Sequence, residues 1–144
     1  MILPDVNILV YAHNQLAEDH PRYKAWVEGV LTGDEAFGIS DLVLSGFLRI
    51  VTNPRIFTPP SSITDALAFT QRIRDRPNCL PAVPGHRHWT IFTDLCRTVR
   101  ARGNIVPDAY FAALAIESGS EWITTDGGYA RFPGLRWRHP FASG

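Results

Sequence analysis

The sequence predicts an α/β fold in which a central, mostly parallel twisted sheet is flanked by helices, within one domain spanning residues 1–144. Three observations predict it. Short apolar runs bounded by Gly, Pro and polar residues alternate with longer runs of helical period, the pattern of parallel strands joined by helical crossovers. A chain of 144 residues, 45% hydrophobic and 19% charged, suits one sizeable core. No internal repeat, linker or composition shift divides it.

Residues 1–5 read as a short buried strand ending at Asp5, and Asn7 as the N-cap of a helix reaching about His13. Residues 21–32 read as a second helix, with Pro21 in its first turn and Trp26, Val27, Val30 and Leu31 as its apolar stripe. "AFGIS" is a second strand, followed by a helix from Asp41 to Thr52 that Asn53 and Pro54 stop. "NPRIFTPPSS" is a loop by composition. Ser62 caps a helix to about Asp75, with Ile63, Ala66, Leu67, Thr70 and Ile73 on one face. "CLPAV" is a weak strand that Pro81 places at an edge. His86 to Arg102 carries Trp89, Phe92, Cys96 and Val99 at helical spacing and ends at Gly103. A helix from Asp108 to Ser118 closes at Gly119, "EWITT" is a strand, and "LRW" is a last short one.

Composition excludes several classes. No apolar run approaches the roughly 20 residues that span a bilayer. The start lacks a basic segment, and Asp5 and Asn7 interrupt its apolar run, so no signal peptide is expected. Cys79 and Cys96 are too few and too separated for a disulfide framework or a zinc site, which points to reduced thiols and the cytoplasm. Net charge is zero, so no global field draws the chain to nucleic acid. The basic residues are nevertheless almost all arginine, Lys24 being the single lysine. Some of these arginines could fork onto phosphates, but codon usage in a GC-rich genome is the favoured reading of the bias.

Three carboxylates stand at element junctions. Asp5 ends the first strand, Asp126 follows "EWITT", and Asp108, after Pro107, starts a helix. In an open α/β sheet the carboxyl ends of strands and the helix starts crowd one edge, where ligands bind. Acids that converge there repel, and stay ionised only beside a cation. Mg²⁺ suits them, being a hard ion that takes oxygen ligands and keeps waters. An ion so held activates water and neutralises a phosphoryl oxygen, so phosphodiester hydrolysis is the chemistry expected. Asn7 stands close enough to orient Asp5. Each acid also has a duller reading, Asp108 as a helix-start residue and Asp126 before Gly127 and Gly128 as a turn former. Asp5, inside an apolar run, resists such a reading.

"LPDVNILVYA", "SDLVLSGFLRIVTNPRIF", "VPDAYFAALAIESGSEWITTD" and "YARFPGLRW" together resemble the PIN-domain ribonucleases, specifically the VapC toxins of VapBC toxin–antitoxin systems. The resemblance covers nearly the whole chain. It implies a PIN-like fold, Mg²⁺ or Mn²⁺ dependence, endonucleolytic RNA cleavage, homodimerisation and inhibition by a VapB-like antitoxin. By position Asp5, Asp108 and Asp126 match the metal-binding catalytic acids, and Asn7 the polar residue that accompanies the first. Two positions depart from the family. Gly46 stands where a helix glutamate is usual, and Gly128 where another acid often follows the fourth. Asp41 lies about 7.5 Å away along the helix from Gly46 and roughly 140° around it, so a side-chain swing does not bring it to the same place. An acid in a helix first turn is also favoured by the dipole alone. Gly46 in mid-helix costs about 1 kcal/mol against alanine, which points to close packing there.

The five histidines form no ligand set; His86 and His88, two apart, do not share a helix face. Trp26 and Trp89 read as core rather than as base-stacking platforms. Arg49 and Arg55, on the helix after the second strand and its exit loop, are the candidates for phosphate contact. The leading function is a metal-dependent endoribonuclease toxin acting on RNA, with single-stranded loops as the accessible targets. The alternative is a catalytically weakened RNA- or partner-binding module of the same fold, motivated by Gly46. An aspartyl phosphotransferase is disfavoured, since that chemistry expects a second aspartate where Asn7 stands.

Overall fold

The computed structural model describes residues 1–142. Five short strands, β1 (Ile2–Pro4), β2 (Phe37–Ile39), β3 (Cys79–Pro81), β4 (Glu121–Ile123) and β5 (Trp137–Arg138), form one sheet. Their order is β3-β2-β1-β4-β5, and every pair is parallel. Six helices flank it: α1 (Val6–His13), α2 (His20–Thr32), α3 (Asp41–Val51), α4 (Ile63–Arg74), α5 (His88–Val99) and α6 (Ile105–Ser118). A 3₁₀ turn covers Gly127–Arg131.

Central strands of a parallel sheet are buried on both faces, and β2 and β4 accordingly carry Phe37, Ile39, Trp122 and Ile123 into the core. Strand β3 lies at the edge, where Pro81 requires no ladder partner for its missing N–H. Helix α1 packs on α2 and α3, α3 on α4, and α5 on α6. Gly46 serves the α1–α3 packing: a Cβ there would stand 3.2 Å from the Val6 side chain. No helix among the described residues is long and apolar enough to cross a membrane.

Several boundaries differ from the sequence expectation. The N-cap of α1 is Asp5, not Asn7: the Asp5 carboxylate accepts the Val6 N–H at 2.7 Å and the helix starts two residues earlier. Helix α5 stops at Val99, because Arg100 takes a left-handed conformation (φ 52°), rather than running to Arg102 and closing at Gly103. Helix α6 begins at Ile105, so Asp108 lies in its first turn and does not open it. Pro107 is tolerated because N–H groups of a helix's first turn have no intrahelical acceptor. Strand β4 ends at Ile123, leaving Thr124 and Thr125 between it and Asp126. On α4, Ala66, Thr70 and Ile73 are buried while Ile63 and Leu67 face outward, and Trp89 of α5 is 68% exposed instead of core. Trp26 packs at the margin of the core, as expected.

Candidate active site

The strand order reverses between β1 and β4, the switch point at which ligands bind in open α/β sheets. Asp5 leaves β1 there, and Asp126 follows β4. The first turn of α6 brings in Asp108. All three, with Asn7, line one shallow cleft of about 330 Å³ that Gly46 and Arg49 of α3 border on the far side. A larger cavity of about 550 Å³, beside Met1, Trp26 and Glu121, holds none of these acids. Chemistry rather than size therefore selects the smaller cleft.

Hydrogen bonds fix each carboxylate while leaving lone pairs free. The two Asp5 oxygens accept from the Val6 N–H and from the Thr124 hydroxyl, each at 2.7 Å. The same Thr124 oxygen accepts the Asp126 N–H at 3.0 Å, so one buried hydroxyl ties two of the acids together. The Asp126 side chain accepts the Gly128 N–H at 2.8 Å, capping the 3₁₀ turn. The Tyr129 hydroxyl, on a buried ring, donates to Asp108 at 3.2 Å.

Burial dominates the electrostatics. It lifts the Asp5 carboxyl to about 6, against the bonds from Thr124 and Val6 that favour its ionised form, and the charges of Asp108 and Asp126 add to the rise. Burial also raises Asp108, with the Tyr129 bond opposing it and the charge of Asp126 reinforcing it. Tyr129 is pushed up by burial and by the neighbouring carboxylates, and so keeps its proton to donate. A cleft that penalises its own negative charges in this way favours a cation.

The donors suit a hard divalent ion. Asp5, Asp108 and Asp126 offer carboxylate oxygens and no soft or imidazole ligand. Among the described residues no three His, Cys, Asp or Glu side chains stand close enough together to hold a metal ion by themselves. An open set of this kind fits Mg²⁺, which takes one or two direct carboxylates and retains waters, better than a cage-bound ion.

Asp41 stays outside the cleft. Its side chain is 76% exposed and pairs with Arg74 of α4, so it does not stand in for an acid at Gly46. Arg49 borders the cleft, whereas Arg55 lies in the exposed loop beyond α3 and does not. His88 is buried and bonded to the Tyr110 carbonyl, a packing role. Sequence reading missed Thr124 and Tyr129. A hydroxyl two residues before Asp126 was the available signal for Thr124. Tyr129 had none, because its bond to Asp108 exists only in three dimensions.

The profile of the PIN domain family matches residues 2–135. VapC43, a ribonuclease of Mycobacterium tuberculosis, is 44% identical over 140 residues, covering 97% of this chain and 95% of its own. VapC25 of the same organism, also a ribonuclease, is 37% identical over 97% of this chain and 99% of its own. Among solved structures, VapBC-1 from nontypeable Haemophilus influenzae superposes with a TM-score of 0.70 at 17% identity, over 99% of this chain and 100% of that one. VapBC2 from Rickettsia felis, bound to a promoter DNA fragment, gives 0.69 at 19% identity, over 96% and 98% of the two chains. At those identities the structures speak for the fold, and the mycobacterial relatives for the family. The chain belongs to the PIN-domain family and, within it, to the VapC ribonucleases.

Proposed function

We propose that this VapC-type ribonuclease is the toxin of a toxin–antitoxin pair, one PIN domain over residues 1–144 that hydrolyses RNA phosphodiester bonds with Mg²⁺ or Mn²⁺. The single observation that carries the reading is the meeting of Asp5, Asp108 and Asp126 at the switch point of the sheet. A divalent ion bound there would supply an activated water and neutralise charge on the phosphoryl oxygen. Asp5 is the most rigid of the ligands, with both oxygens anchored. Asp108, held from one side by Tyr129, and the exposed Asp126 complete the set, while Asn7 lines the same wall.

The shallow, open cleft fits an extended strand rather than a duplex, so single-stranded loops of structured RNA are the substrates. The toxin works in the cytoplasm as a homodimer, and a VapB-like antitoxin holds it inactive. The structural neighbours VapBC2 and VapBC-1 support that partner. Gly46 favours the second reading, a binding module of the same fold with its catalysis lost.

The test is incubation of antitoxin-free protein with total cellular RNA in Mg²⁺, Mn²⁺ or EDTA, beside Asp5→Ala and Asp108→Ala. Discrete metal-dependent cuts that vanish in both variants are expected, and end-mapping then identifies the target. A folded protein that cuts with neither metal would leave the binding module as the better reading.

A further inference from the structure

The charges around the cleft do not balance without help. Three carboxylates and one divalent ion leave a net negative site, and an RNA phosphodiester brings another negative charge. Strand order sets out what compensates. Asp5 leaves the central strand β1, α3 follows its neighbour β2 on one side, and the 3₁₀ turn follows β4 on the other. Each flanking element carries an arginine on the side of the acids.

Arg49 borders the cleft directly, three residues beyond Gly46, which lines it too. Arg131 is bent back by a 2.8 Å bond from its Nε to the Gly128 carbonyl. Its terminal nitrogen stands 3.0 Å from where a Gly128 Cβ would be, and an Asp126 carboxylate oxygen stands 2.9 Å from the same point. A Cβ at 128 would press on the Asp126 carboxylate and oblige the Arg131 guanidinium to give by a few tenths of an ångström. Neither arginine enters any of the four ion pairs among the described residues, although Arg72, Arg74, Arg97 and Arg138 all do. Two cations beside an acidic cleft, with their guanidinium forks not spent on carboxylates, are placed to receive a planar anionic group.

We infer that Arg49 and Arg131 form a two-sided clamp on the RNA backbone, gripping the phosphates on either side of the acids. Gly128, with no side chain, leaves room for the Arg131 guanidinium. The clamp rests on the reading of the cleft as an RNA site, and it assigns the arginines to substrate rather than to the metal.

The test is binding of a labelled single-stranded RNA oligonucleotide, across a salt series, to the Asp108→Asn protein carrying Arg49→Ala, Arg131→Ala, both, or Arg97→Ala as a matched loss of surface charge. Each clamp variant is expected to lose about tenfold in affinity and to flatten the plot of log Kd against log salt by about 0.7. Arg97→Ala changes neither. Arg49→Lys and Arg131→Lys recover the slope but only part of the affinity, since the charge returns without the fork. In the otherwise unaltered chain, the two alanine variants are expected to bind Mn²⁺ several-fold more tightly by calorimetry, a gain that loss of a merely structural arginine would not give. Clamp variants indistinguishable from Arg97→Ala, or a parent protein that binds no RNA, would overturn the inference. RNA cleavage that survives unchanged in the double variant would overturn it while leaving the nuclease intact. Binding losses in a chain that cuts with neither metal would sustain the clamp and retire the nuclease.

Discussion

Replacing Asp5 by asparagine should make the metal-free protein more stable at neutral pH, even though it removes a proposed ligand. Folding lifts the Asp5 carboxyl from 3.8 to about 6, mainly through burial. A raised carboxyl means that the folded chain holds the proton more tightly than the unfolded one. Its contribution to stability is therefore full below pH 3.8 and is lost as pH rises through 6. At 1.36 kcal/mol per pH unit, the rise from 3.8 to about 6 puts the neutral-pH cost at about 3 kcal/mol. Asparagine keeps the shape and an acceptor for the Val6 N–H, and carries no charge to desolvate. Urea unfolding in EDTA measures the difference. At pH 7.5 the variant's midpoint should lie about 1–2 M higher, given the usual slope for a small domain. At pH 4 the two curves should nearly coincide. Added Mn²⁺ should then stabilise the parent and not the variant, because only the parent gains binding energy in the folded state. Equal midpoints at pH 7.5, or a gap that persists unchanged at pH 4, would refute the claim that a buried charge is stored at this position.

Other perturbations follow from the same geometry. Thr124→Val leaves an Asp5 oxygen and the Asp126 N–H without a partner, so a loss of about 2 kcal/mol is expected by chemical denaturation. With a donor that favours its ionised form gone, Asp5 should also rise further, moving the alkaline climb of the cleavage rate to higher pH. Gly46→Glu restores an acid to the cleft wall at the cost of a small give by Val6, 3.2 Å from the new Cβ; Mn²⁺ should bind about tenfold more tightly by titration, since affinity follows ligand charge. Asp41→Ala breaks an exposed pair with Arg74; stability should change by less than about 0.5 kcal/mol and the cleavage rate not at all.

Much of this molecule is written locally. Ser62 caps α4 through the Asp65 N–H, as the sequence reading placed it, because a hydroxyl before an amphipathic run acts within one turn. Pro81 sends β3 to the edge for an equally local reason. The three acids were legible because each interrupts or abuts an apolar element, and the sheet gathers them at the expected edge. What escaped depends on tertiary context. Asn7 has the right chemistry for a cap, yet Asp5 takes the position because β1 pairing with β4 ends the strand at Pro4. Gly103 is a common helix-ending residue, but Arg100 turns left-handed first. Trp89 keeps helical spacing with Phe92 and still faces outward, since periodicity identifies a stripe and not what covers it. Tyr129 and Thr124 could be assigned their partners only once β4 lay beside β1.

That pairing of the first strand with the fourth also sets a schedule. The hydroxyl of Thr124 reaches back across 119 residues to hold Asp5. A ribosome adds roughly 5–20 residues per second, so for most of its synthesis the chain has a first acid with no anchor and no companions. The cleft is completed only when its last carboxylate, Asp126, has left the exit tunnel and β4 has slotted in against β1. Fragments truncated before that strand lack the means to build the cleft. A nuclease organised this way cannot assemble its cleft until the chain is almost finished.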